Sequence, residues 1–489
     1  MSPPGNDVSE GIEAIELTTL EGKVKKLAAE ELRAFRSAFR GPVLQRGDAG
    51  YDDARQIWNA MIDRRPSLIA RCTGTADVVA AVRFARDHGL LSSVKGGGHN
   101  IAGLAVCERG LMIDLSLMKG VWVDPAARTA RAQAGCTLGD VDRETQLHGL
   151  AGVFGFVSAT GIAGLTTGGG FGYLTRRYGW TCDNLVSMEV VTADGKLLRA
   201  SDSENQELFW CLRGGSGNFG IVTSFEYRLH PVGPEVMAGI VAWRGADAPK
   251  VLRFFRELTM AAPRELTCVA QLRMAPPAPW LPKEIHGKPI VAILACHSGR
   301  PEDAEKLVAP IKAFGKPVAD ILVRRPYTQM QSLLDGAQPK GRRYYWKSEY
   351  LPGLQPAALD AVATAATRIP SPHSAILLFH IGGALNELPA DHSPAGNRDA
   401  TFVCNLAGSW EHSSNDAANI AWTRQSWESI RPFSTGGAYL NFMTEEEGAE
   451  RIAAAYGKTI VNRLASLKRK YDPQNLFQHT KNVLGIDAG

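Results

Sequence analysis

The chain has 489 residues, of which 45% are hydrophobic and 21% charged, and its formal net charge is only +4. A chain of this length can bury two or three cores, and the composition is that of a soluble globular enzyme. So small a charge argues against a nucleic-acid partner, which needs a concentrated basic face. The opening MSPPGNDVSEGIEAIELTT has no basic segment leading into an apolar run, and no later stretch has the apolar length of a membrane span. The expectation is therefore a cytoplasmic protein with no membrane partner. The eight cysteines, at 72, 107, 136, 182, 211, 268, 296 and 404, form no close pair, so neither a zinc knuckle nor a disulfide scaffold is expected.

In chain order, residues 19–45 read as one or two short helices before GDAGYDDAR. Ser67–Cys72 reads as a strand, and Thr75 or Asp77 would cap a helix whose Val78, Val82 and Ala85 share one face and which Gly89 ends. LLSSVKGG is a further strand that runs into the glycine turn Lys95-Gly96-Gly97-Gly98-His99-Asn100. The helix covers the sheet, and the loop leaves the strand end open to a ligand. At this point His99 has three readings: a solvated loop residue, a catalytic base, or a point of cofactor attachment.

Residues 110–115 and 130–134 alternate as strands, and 138–149 reads as a helix. The segment 152–179 is too rich in glycine for an ordinary element, so its backbone is expected to turn tightly or approach a large ligand. Residues 185–198 form a hairpin about Thr192-Ala193-Asp194-Gly195, and 205–213 a short helix that enters GGSGNFGIVTSFEYRLHP. The prolines after His230 mark a boundary near 235. From 236 to 434 the pattern is a second α/β unit with several strands, long helices near 246–259 and 300–313, and an antiparallel sheet. Two helical runs near 445–455 and 463–471 close the chain and return to the first unit.

Three glycine segments, at 96–98, 161–172 and 214–220, fit an extended cofactor whose diphosphate meets backbone N–H groups, with Lys95 as a nearby charge. None is a complete phosphate loop or dinucleotide fingerprint. His297, His373, His380, His392 and His412 have no metal-ligand spacing, so no metal is expected, and no nucleophile elbow is present. KGGGHNIAG, GIAGLTTGGGFGYLTRRYG, Cys182-Asp183-Asn184, LRGGSGNFGIVTSFEYRLHP, GGAYLNF and RLASLKRKYDPQNLF follow one another from about residue 65 to the end. In this order they resemble the FAD-linked oxidase family that includes berberine bridge enzyme, glucooligosaccharide oxidase and 6-hydroxynicotine oxidase.

The resemblance implies an α+β fold: a two-part FAD-binding domain formed by both chain ends, 1–235 and 435–489, with an inserted substrate-binding domain, 236–434, containing a mainly antiparallel sheet. It implies covalent FAD, attached through His99 only, because Val157 stands where two-link relatives carry a cysteine and Leu165 where they often carry a histidine. The cofactor-binding set carried over is Lys95, Gly96, Gly97, Gly98, His99, Asn100 and Gly103; Thr160, Gly161, Gly164, Thr167, Gly168, Gly169, Gly170 and Gly172; and Gly217, Gly220, Ile221 and Val222. Arg176 and Arg177 either contact phosphate or form a solvated helix face.

The implied reaction is oxidation of an alcohol, on a carbohydrate or a small aromatic molecule, with dioxygen giving hydrogen peroxide. The alternatives are oxidation of an amine or natural-product intermediate, and a dehydrogenase with another acceptor. Tyr439 is the leading base, with Asn441 on the same side of an AYLNF strand and Leu440 opposite; the alternative is a sheet tyrosine at a domain seam. Tyr345 and Lys347 alternate in YYWKSEY as a further catalytic pair or an interdomain hydrogen-bond pair, and Tyr173 is placed near the flavin edge. A monomer and a homodimer fit the length equally.

Overall fold

The computed structural model describes residues 14–486; most of the N-terminal stretch examined for a signal, and residues 487–489, lie outside it. Ser67–Cys72 forms the strand Leu68–Arg71, which lies parallel to Leu111–Asp114, and Ser92–Lys95 lies parallel to Leu111–Asp114 on its other side. Val43–Leu44 adds an antiparallel edge. The helix Thr75–His88 buries Val78, Ala81, Val82 and Ala85. Gly74 rather than Thr75 is its N-cap, while the Asp77 carboxylate accepts from the N–H groups of Thr73 and Arg40.

The helix is sandwiched between this sheet and a five-stranded antiparallel one, in the order Leu197–Ser201, Leu185–Val191, Ile221–Arg228, Thr129–Gln133, Val121–Asp124. The 185–201 hairpin forms as its turn chemistry demands. Arg83 and Arg86 of the helix donate to the Gly195 and Asp194 carbonyls in that turn.

Residues 19–45 hold one of the one or two short helices expected, with a strand ahead of it that was not expected. Ile15–Thr18 and Val24–Leu27 pair as a hairpin, and only Ala29–Ser37 is helical. Gly22, with φ +77°, closes the turn and interrupts what otherwise reads as one helical run.

Residues 235–410 supply an eight-stranded sheet whose pairings are all antiparallel; its main path runs Ala319–Asp320, Glu235–Arg244, Pro289–His297, Leu266–Met274, Ala375–His380, Phe402–Trp410, Arg343–Leu351. Alternation gives this sheet two apolar faces. Ile293, Ile376, Leu378 and Leu406 pack under the helices Ala248–Ala261, Pro301–Ala313, Pro356–Ala366 and Asp416–Ile430. Val269, Leu377, Phe379 and Val403 point the other way, into the core shared with the first sheets.

The last helix, Lys458–Tyr471, returns to the N-terminal part: Arg463 stacks over Trp210 at 3.8 Å. Lys468 and Asp472 form a wholly buried ion pair at 2.7 Å, and Lys468 also donates to the Asn218 carbonyl. Asp472 accepts from the N–H groups of Leu476 and Phe477, which fixes the chain beyond the helix. The Asn218 side chain donates to the Lys481 carbonyl and accepts from Val483. All eight cysteines are buried, free thiols. Among the described residues no helix is long and apolar enough to cross a membrane.

Candidate active site

Gly96–Asn100 leaves the end of the strand Ser92–Lys95 and meets Gly161 of the second glycine segment. A Cβ on Gly97 would lie 2.5 Å from Gly161 Cα, and a Cβ on Gly161 would collide with Gly97 N. The two loops thus pass backbone against backbone, which only glycine at both positions permits. Together they floor a cavity of about 310 Å³.

The N–H groups of Gly97, Gly98, His99 and Asn100 have no acceptor among the described residues, an unusual row of unpaired donors at the cavity edge. Gly164, in the helix Ile162–Thr167, also lines the cavity, and a Cβ there would enter open space. These features fit an anionic group flanked by a broad, flat one: unpaired donors for a diphosphate, and a wall kept bare of side chains.

His99 borders the same cavity. Neither ring nitrogen has a hydrogen-bond partner among the described residues, and burial lowers its pKa to about 4, so the imidazole is neutral at physiological pH. Trp58 stacks on it with ring centres 5.1 Å apart. From there the rings continue: Trp58 to Trp346 at 5.3 Å, Trp346 to Phe442 at 5.1 Å, Phe442 to Tyr439 at 4.8 Å. The wall opposite the glycines comes from the large sheet, with Gln271, Trp346, Leu377, Phe379 and Asn405.

Of the carried-over cofactor set, Gly96 to Asn100, Thr160, Gly161, Gly164, Thr167, Gly217, Gly220, Ile221 and Val222 line this cavity, as does Val157. Lys95 does not. Its ammonium donates to the Ala54 carbonyl at 2.6 Å and lies 3.7 Å from Asp114, so it closes the base of the loop. Gly103, Gly168, Gly169, Gly170 and Gly172 are also outside the lining. Gly168 is needed because a Cβ would strike the Asn441 side chain, and Gly172 because one would strike the Phe154 carbonyl. Arg176 and Arg177 reach carbonyls rather than the cavity: Arg176 donates to Gly382 and Pro263, and Arg177 to Ser298, tying the N-terminal part to the large sheet.

Tyr439 and Asn441 both line the cavity, and the Asn441 amide donates to the Tyr439 hydroxyl at 2.9 Å. The AYLNF segment is not a strand; Leu440–Phe442 is a 3-10 turn, and that turn brings the two side chains together. Burial pushes the Tyr439 phenol above its ordinary range, with the Asn441 hydrogen bond acting in the opposite direction.

Tyr345 and Lys347 lie on the far face of their strand. Tyr345 donates to Glu446, and Lys347 pairs with Glu446 at 3.0 Å and Glu447 at 3.4 Å, a lock between the sheet and the C-terminal segment. Trp346, between them, is the residue that meets the cavity. Tyr173 is also displaced from the site: it is buried edge-on against Phe156, its hydroxyl unpartnered.

The residues not anticipated are Trp58, Gln271, Leu377, Phe379, Asn405 and the C-terminal His479 and Lys481. A polar residue inside a fully apolar strand, as in LTCVAQLRM and FVCNLAGSW, was the available signal. No cluster of three or more His, Cys, Asp or Glu side chains placed for a metal occurs among the described residues.

A family model described as "FAD binding domain" matches residues 66–201, and one described as "Berberine and berberine like" matches residues 438–484. An FAD-linked oxidoreductase of Dictyostelium discoideum is 31% identical over 472 residues, covering 96% of this chain and 100% of that protein. The (R)-6-hydroxynicotine oxidase of Paenarthrobacter nicotinovorans is 31% identical over 453 residues, covering 91% and 97%. The crystal structure of 6-hydroxy-D-nicotine oxidase from Arthrobacter nicotinovorans superposes with a TM-score of 0.80 at 30% identity, over 91% of this chain and 98% of that one.

Proposed function

The chain belongs to the FAD-linked oxidase family of berberine-bridge type, and we propose that it oxidises an alcohol, on a carbohydrate or a small aromatic molecule, with FAD held covalently through His99. When bound, FAD supplies the acceptor for a hydride and passes the electrons to dioxygen. The observation that carries the reading is the single cavity that joins the His99 loop to the Tyr439–Asn441 pair.

The neutral His99 imidazole has a free ring nitrogen for attachment, and Trp58 fixes the plane of the ring. Val157 offers no nucleophile, so the link is single. The unpaired N–H groups of Gly97 to Asn100 would hold the diphosphate. Tyr439 orients the substrate hydroxyl and, once ionised to the phenolate, takes its proton as the carbon loses hydride. Asn441 donates to the phenol oxygen, which favours negative charge there. The likeness to 6-hydroxynicotine oxidase supports amine oxidation as a second reading.

Mass spectrometry of the denatured, proteolysed protein tests the attachment. FAD is expected on the peptide containing His99 and absent from His99→Ala. A flavin found free, or on another peptide, removes the assignment.

A further inference from the structure

The cavity wall furnished by the large sheet carries an unmet demand for hydrogen bonds. Gln271 and Asn405 flank Leu377 in one register row, so their Cα atoms stand about 10 Å apart, two strand spacings. Asn405 is 2% exposed, its side chain has no hydrogen-bond partner among the described residues, and its Oδ1 is fully buried. Trp346 sits diagonally from it, two residues from Ser348, the register partner of Asn405, and its indole N–H lacks an acceptor. Gln338 Oε1, on the same cavity, is also orphaned. Buried amides left unpaired cost their full desolvation, and no contact within the described fold relieves these.

What could fill the demand is limited by the rest of the lining. Among the described residues no Asp, Glu or Arg reaches the cavity, and the one lysine there, Lys481, already donates to the Thr444 carbonyl at 2.7 Å. A cationic amine would be buried without a counter-charge. Leu377, Phe156, Phe379 and Phe442 make the surface beside these groups apolar, so a sugar's many hydroxyls outnumber the partners the wall offers.

We infer that the substrate, within the alcohol oxidation proposed above, is a neutral aromatic alcohol with a second polar substituent, and that Asn405, Trp346 and Gln338 read that substituent. A phenol hydroxyl donates to either amide oxygen, and its oxygen accepts from the Trp346 indole. The carbinol carbon gives up hydride and its oxygen a proton, a carbonyl forms, and dioxygen takes both electrons with two protons to leave as hydrogen peroxide.

The test uses the full chain loaded with FAD and follows anaerobic bleaching of the flavin, and steady-state turnover in air for KM, with para-hydroxybenzyl alcohol, para-hydroxybenzylamine and cellobiose. The aromatic alcohol is expected to be fastest. Asn405→Leu should raise its KM at least tenfold with flavin loading unchanged, and Asn405→Asp should move preference toward the amine. Trp346→Phe, which keeps a ring and removes only the N–H, should also raise KM and serves if Asn405→Leu does not load flavin. Faster bleaching by cellobiose overturns the inference and leaves alcohol oxidation standing; bleaching by the amine alone overturns both. Failure of the aromatic alcohol to bleach loaded flavin, or an unchanged KM in the variants, also overturns the inference.

Discussion

The floor formed by Gly96–Asn100 and Gly161–Thr167 meets the cavity largely with backbone, whereas the wall formed by Gln271, Leu377 and Asn405 meets it with side chains. The floor works by omission: glycines let two loops touch and leave N–H groups free. The wall works by selection, because every second residue on a strand faces the cavity and can change while its neighbours stay in the helix-covered core. On the proposed function, binding of the cofactor and choice of substrate are thus physically separable.

Breaking the floor should have the largest effect. Gly161→Val puts side-chain carbon into Gly97, where neither backbone can yield, and we expect a loss of about 3 kcal/mol or more and almost no FAD-loaded protein, read from the flavin-to-protein absorbance ratio. Tyr439→Phe lies between floor and wall. It should load flavin normally and lose about 10²- to 10⁴-fold in the rate of flavin reduction. Because burial raises the phenol's pKa, the reduction rate of the wild type should climb with pH into the alkaline range instead of levelling near neutrality.

A third effect is on acid stability. His380, in the large sheet, has its pKa lowered from 6.5 to about 2 by burial. The unfolded chain binds this proton first, so the stability is full above pH 6.5 and falls as pH drops, by about 1.4 kcal/mol per pH unit below it. Denaturant midpoints should fall between pH 7 and 4, and because the buried His99 and His230 act in the same direction, His380→Leu should remove about 1.4 kcal/mol per pH unit from the slope and leave the rest. The smallest effect is expected for Tyr173→Phe. It removes only an unpartnered hydroxyl behind Phe156 and outside the lining, so stability and the barrier to turnover should stay within about 0.5 kcal/mol of wild type.

The floor was legible in the sequence because glycine is an unambiguous signal of close backbone approach. Gly97 and Gly161 make the close approach that the glycine runs suggested and Gly164 borders the cavity, while Gly168 and Gly172 serve neighbouring side chains and carbonyls instead. The wall was less legible. Alternation in YYWKSEY correctly divides the strand into two faces, but it does not say which face meets the cavity; Glu446 and Glu447, a hundred residues away, claim Tyr345 and Lys347. The AYLNF turn escaped for a similar reason. Its β-like composition is overridden by the Asn441 contacts with Leu165 and Tyr439.

The buried Lys468–Asp472 pair, which holds Phe477 and the residues up to Lys481 against the N-terminal part, also sets a clock on biosynthesis. His479, Thr480 and Lys481 complete a cavity whose glycine floor leaves the ribosome about 380 residues earlier. At about 5–20 residues per second this delay is on the order of 20–80 s. During that interval the nascent chain presents the first glycine loop and His99 without the last wall, so the cavity is complete only after the residues up to Lys481 have emerged.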